Sequence, residues 1–247
     1  MDGQPTRAGW RARVPASWST WWAYLRRPAL PDRADTGLLA GLKALAPLFV
    51  LDIAMMAVLL GSVGIAMSIG FEMPEHLLGE TDLTPAMIAF IVVGAPIGEE
   101  VLFRGWLSGR PGHLLATPLA ILAGLALLSA GAAFNVGSPS ATPVLVAGAV
   151  AAMLALVALF FFRKRPAVGW FQRNFAWFFW GSAIAFAAVH LSNFAAAGPG
   201  LLPMVLPQFL LALLLGYLRV THGLWSSVLL HMLHNSLFIS VALLADG

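Results

Sequence analysis

Hydrophobic residues run through this chain in long unbroken blocks, unlike the alternation of a half-buried strand. A helix needs about 20 apolar residues to cross a hydrocarbon core. Seven runs approach or exceed that length, at 38–69, 84–107, 114–130, 143–162, 174–194, 201–217 and 223–244. The first is longer than a bilayer requires and holds Lys43, Pro47 and Asp52, so a tilt, a kink or a projecting end is expected. Ahead of the runs, residues 1–36 are basic and Trp-rich, and between Pro15 and Pro28 the residues Trp18, Trp21, Trp22 and Leu25 fall at helical spacing. That pattern predicts an interfacial helix. A signal peptide would carry its apolar core nearer Met1 and a small-residue cleavage site. The expected fold class is therefore all-α, a polytopic transmembrane bundle of about seven spans plus an N-terminal interfacial helix, with residues 37–247 forming one membrane domain.

Composition agrees with lipid as the solvent: 60% of residues are hydrophobic and 10% charged, with a mean hydropathy of +0.84. The net charge of +3 raises nucleic acid as a partner, and the placement of the basic residues removes it. Arg7, Arg11, Arg13, Arg26, Arg27 and Arg33 precede the first run, and Lys43 opens it. Arg104 and Arg110 follow the second, Arg163, Lys164, Arg165 and Arg173 lie between the fourth and fifth, and Arg219 lies between the sixth and seventh. These 14 residues are all the Lys and Arg, and they share one side if the chain starts in the cytoplasm and crosses seven times. Glu72, Glu75, Glu80, Asp82 and Asp246 fall on the other. The positive-inside rule then places the N-terminus in the cytoplasm and the C-terminus on the opposite face. The chain has no cysteine, which removes disulfides, thiolate catalysis and cysteine-ligated metals.

Ionisable groups inside apolar runs are expensive and mark functional sites by default. Glu99 and Glu100 occur in Gly-Glu-Glu-Val-Leu-Phe-Arg-Gly, with Arg104 at i+4 from Glu100. That spacing pairs Glu100 with Arg104 and leaves Glu99 free. His190 follows Phe186 by one helical turn, and His231 and Asn235 share a helix face. A carboxylate, an imidazole and two hydrogen-bond donors supply what amide hydrolysis needs. They are expected to converge on one polar cavity. His222 and His234 carry no assigned role, and Asp52 with Lys43 reads as a local satisfaction of charge. A proton-coupled transporter would show repeated halves, and none is visible. Asp52 is the only aspartate inside a span, which fits an aspartate dyad poorly.

In order along the chain, the motifs resemble those of the CAAX protease and bacteriocin-processing membrane family (CPBP, or ABI), whose eukaryotic branch trims prenylated proteins. Glu99, Glu100 and Arg104 stand in the Glu-Glu-x-x-x-Arg element, with Phe103 and Gly105 in its Phe-Arg-Gly. Phe186 and His190 form Phe-x-x-x-His, and His231 and Asn235 form His-x-x-x-Asn after Gly-Leu-Trp-Ser-Ser. The resemblance covers residues 92–238. It implies an intramembrane glutamic endopeptidase, similar to CAAX prenyl protease 2 and needing no cofactor. Glu99 and His190 would activate water, His231 and Asn235 would hold the oxyanion, and Glu100, Arg104 and Phe186 would support them. The implied partners are the bilayer and a membrane-associated protein or peptide substrate, with a prenylated C-terminus as one candidate. Some descriptions of the family make it a metalloprotease, in which case Glu99, His190 and His231 would be the zinc ligands. A second alternative is a non-catalytic bacteriocin-immunity or scaffold protein. Relatives usually join the first two motifs by a shorter connection, so the apparent hairpin 114–162 is expected to lie outside the motif-bearing set.

Overall fold

The computed structural model describes residues 16–77, 82–195 and 198–245. Arg7, Arg11, Arg13, Pro15, Glu80, Asp246 and Gly247, all used in the reading above, lie outside the described residues. The helices are α1 Ala16–Arg26, α2 Leu38–Ser68, α3 Pro85–Ala89, α4 Ala95–Arg104, α5 Pro111–Asn135, α6 Ala141–Phe162, α7 Gly169–Arg173, α8 Phe175–Val189, α9 Leu206–His222 and α10 Leu224–Ala245. A π-helical turn, Phe90–Gly94, joins α3 to α4, and a 3-10 turn, Gly105–Ser108, follows α4. Among the described residues, seven helical stretches are long and apolar enough to span a membrane, and the chain is an all-α multi-pass membrane protein. Their ends fall within a few residues of the expected ones, except that α5 runs on to Asn135 and α9 to His222.

α9 is the central helix. Leu211 to Gly216 are all buried in it, enclosed by α1, α2, α8 and α10. The Trp-bearing α1 forms as expected and is also keyed into this core. Trp18 Nε1 donates to the Pro47 carbonyl at 2.6 Å, and Trp21 Nε1 to the Leu213 carbonyl at 3.4 Å. Trp22 faces outward and is 55% exposed. α2 comes so close to α10 that a Cβ at Gly41 would meet the Trp225 ring at 2.2 Å.

The Arg-bearing segments gather at one end of the bundle. Asp35 N donates to the Thr221 carbonyl, Val168 N to that of Gly109, and Arg110 Nη1 to that of Arg163. At the other end, Ala195 N donates to the Glu75 carbonyl, and His76 bridges Phe194. Arg219 departs from the sequence reading, which grouped it with loop charges. It is buried, and its Nε and Nη2 donate to the carbonyls of Arg104 and Gly105, both at 2.7 Å. Carbonyls at a helix C-terminus lack intrahelical donors, and Arg219 satisfies two of them where α4 ends.

α5 and α6 pack chiefly on each other through small residues, with Gly148 against Ala126 and with Ala155 and Ala158 buried. Their leucines and phenylalanines, such as Leu128 and Phe160, face outward, as a lipid-facing surface requires.

Candidate active site

A cavity of about 560 Å³ opens between α2, α4, α8, α9 and α10. Glu99, His190, His231 and Asn235 all line it, and no residue of the 114–162 hairpin does.

The two neighbouring glutamates face opposite environments. Glu100 is fully buried and makes an ion pair with Arg104, one turn on. The Arg104 guanidinium also lies 4.3 Å from the centre of the Phe186 ring, a cation–π contact. Glu99 keeps 31% of its side chain exposed and faces the cavity. One residue of offset rotates a side chain about 100° around a helix, so only one of an adjacent pair can point into a given wall.

His231 sits between the two carboxylates. Its Nδ1 is 3.1 Å from Glu100 Oε1 and its Nε2 is 3.6 Å from Glu99 Oε2. An ionised carboxylate only accepts, so Nδ1 carries the hydrogen and Nε2 faces Glu99. At 3.6 Å the contact is longer than a hydrogen bond, so Glu99 is not committed to His231. His190 is held by a local device. α8 tightens at its end, so the His190 amide donates to Ala187 and leaves the Phe186 carbonyl unclaimed. The His190 Nδ1 lies 2.7 Å from that carbonyl, which fixes the hydrogen on Nδ1 and turns Nε2 outward as an acceptor. Glu99 and His190 were expected to act as a pair, and among the described residues no hydrogen bond or ion pair joins them. The Phe186 ring packs against both imidazoles, with ring centres 4.7 Å from His190 and 5.7 Å from His231.

Asn235 answers a defect in the helix opposite. In the π-helical turn the Ala95 amide bonds to the Phe90 carbonyl, and the next donor along is Pro96, which has no N–H. The Ile91 carbonyl is thereby left over, and Asn235 Nδ2 donates to it at 2.8 Å. π-bulges of this kind recur at functional sites. The bond fixes the carboxamide and leaves its second hydrogen for the cavity.

Sequence reasoning missed several members of the site. Asp52 and Lys43 are not paired. Asp52 is fully buried, and its Oδ2 lies 2.7 Å from His234 Nδ1. Nine helical residues put Lys43 about 13 Å away along α2, whereas α10 packs directly against Asp52. A buried aspartate in a span was the available signal, and what it lacked was a partner. His76, in the segment that folds across the far end, also lines the cavity, and nothing in its sequence context marked it. Among the described residues, no three His, Asp or Glu side chains are grouped to hold a metal ion. His231 Nδ1 is engaged by Glu100 and His190 Nδ1 lies on a carbonyl, which leaves the Nε2 atoms as the ring nitrogens that would meet a metal in the alternative zinc set of Glu99, His190 and His231.

Burial holds the His76 imidazole below its ordinary range, and the neighbouring His190 adds to the shift. Between that lowered value and the ordinary one the unfolded chain binds the proton better, so stability rises with pH through this window and falls on acidification. Taking the pH below about 6.5 should loosen the contact between Glu75–His76 and Phe194–Ala195. Relative to the intrinsic exchange rate at each pH, which itself slows on acidification, the Ala195 amide should lose protection in wild type and keep it in His76→Gln. Equal pH dependence in both proteins would contradict this account.

An all-helical polytopic bundle with carboxylate and imidazole groups around a cavity between its spans defines a membrane-embedded protein with an internal polar site. The profile of the family described as Type II CAAX prenyl endopeptidase Rce1-like matches residues 81–165 and 158–237, and the chain belongs to that family. Membership places it among CAAX-type membrane proteases, whose substrates are membrane-associated. The first matched stretch includes the 114–162 hairpin. Comparison with curated proteins and with solved structures found no match.

Proposed function

We propose that this chain is an intramembrane endopeptidase of the glutamate type, cleaving a prenylated C-terminal peptide. The observation that supports this most directly is the asymmetry of the two glutamates: Glu100 is buried and committed to Arg104, while Glu99 faces the cavity. Glu99 draws a proton from a water in the cavity, and the oxygen attacks the scissile carbonyl. His190 Nε2 accepts a hydrogen bond from the same water. The oxyanion forms toward His231 and the second amide hydrogen of Asn235, donors held in place by Glu100 and the Ile91 carbonyl respectively. In this role His231 must carry a hydrogen on Nε2.

The test uses purified protein in detergent and a quenched peptide ending in a prenylated Cys-a-a-X sequence. Cleavage that survives a chelator supports the reading. Activity lost to the chelator and restored by zinc overturns the metal-free mechanism, and binding without cleavage favours the immunity or scaffold reading.

The same reading orients the protein with its Arg-bearing end in the cytoplasm, where prenylated C-termini are exposed. Because the chain has no cysteine, single cysteines report topology cleanly. In intact cells an impermeant thiol reagent should label Glu75→Cys and spare Lys164→Cys. The reverse pattern would reject the orientation.

A further inference from the structure

The Asp52–His234 pair is not used by the mechanism above, yet His234 stands in the wall of the same cavity, with Asp52 buried behind it. His234 lies three residues from His231 on α10, and both line the space that Glu99 and Asn235 face. Its Nδ1 is held at 2.7 Å by Asp52 Oδ2 from α2, and its ring tilts against Phe238 at 4.5 Å. Among the described residues Nε2 has no protein partner, and neither does Asp52 Oδ1. A fully buried carboxylate in a membrane span is costly unless it serves a charge. Among the described residues the group it holds is an imidazole whose other nitrogen is left for the cavity. An aspartate in this position fixes the ring and stabilises the imidazolium. Any peptidase must also deliver a proton to the departing nitrogen, because an amide anion is too poor a leaving group.

Building on the peptidase reading, we propose that His234 is the catalytic acid that protonates the leaving amine, with Asp52 as its positioning residue. As the tetrahedral intermediate collapses, the carbonyl re-forms and the C–N bond breaks with its electron pair passing to nitrogen. That nitrogen takes the hydrogen from His234 Nε2. The imidazole is left neutral, with its Nδ1 hydrogen still on Asp52. Glu99 gives the proton it took from water to solvent in the open cavity, and His234 takes one up from the same solvent. The general base and the general acid are thus separate groups, on α4 and α10.

The experiment compares two probes: the quenched prenylated Cys-a-a-X peptide, and a prenylcysteine nitrophenyl ester, whose leaving group needs no proton. His234→Gln retains a donor to Asp52 but cannot transfer a proton, and Asp52→Asn retains an acceptor for Nδ1 without the charge. Both should lose about 10² to 10⁴ in rate on the amide while staying within a few-fold of wild type on the ester. Wild-type amide cleavage by His234→Gln, or equal losses on amide and ester, overturns the acid role and leaves the peptidase reading intact. Failure of both variants to fold assigns the pair to stability and overturns the role as well. A wild-type protein inert on both probes, or Glu99→Gln as active as wild type, removes the peptidase reading itself.

Discussion

Glu99→Gln should abolish peptide cleavage while leaving expression and thermal stability close to wild type. The side chain faces the cavity, makes no hydrogen bond among the described residues, and comes to 3.6 Å from His231 Nε2. Glutamine keeps the shape and a polar oxygen near His231. What it cannot do is take a proton from the attacking water, and loss of a positioned base typically costs ~10² to 10⁴ in rate. The measurement is turnover of the prenylated peptide beside a melting curve of the same sample. Activity near wild type would remove Glu99 from the mechanism. A collapse in melting temperature would recast it as a structural residue.

The reverse pattern is expected one residue along. Arg104→Ala should fail at folding before it fails at chemistry, because Glu100 would then be a fully buried carboxylate stripped of its guanidinium partner. Breaking a buried pair by removing one partner typically costs ~3 to 5 kcal/mol. Glu100→Ala should be as harmful, since the buried Arg104 would lose its ion-pair partner and keep the Phe186 ring and the more distant Glu99. The double variant Glu100→Gln with Arg104→Met removes both charges and conserves volume, so folded yield should recover substantially. Activity should not follow, because His231 Nδ1 loses the carboxylate that holds its ring at 3.1 Å. Recovery of yield without turnover separates the two roles of Glu100. A double variant no better folded than either single one would contradict the charge-pair account.

Most of the fold could be read along the chain. The seven spans follow from run length alone, because in lipid every backbone polar group must be satisfied within its own segment and a helix is the only open-chain way to do so. The split between Glu99 and Glu100 was also legible, since i+4 pairing is a property of one helix and Arg104 lies four residues on. The gathering of the Arg-bearing segments at one end follows from the parity of the crossings.

Other features depend on which helices become neighbours. No local pattern says that α10 packs on α2, so Asp52 could not be matched to His234. Nor does one show that His76 reaches Phe194 from a distant loop, or that Arg219 turns inward to the carbonyls ending α4. The role of Asn235 at the Ile91 carbonyl needs both the missing N–H of Pro96 and the approach of a second helix. Length and polarity along one strand of sequence govern what crosses the membrane, because each helix satisfies its own backbone. Buried side chains have no such local solution. Their partners come from other helices, and packing between helices chooses them.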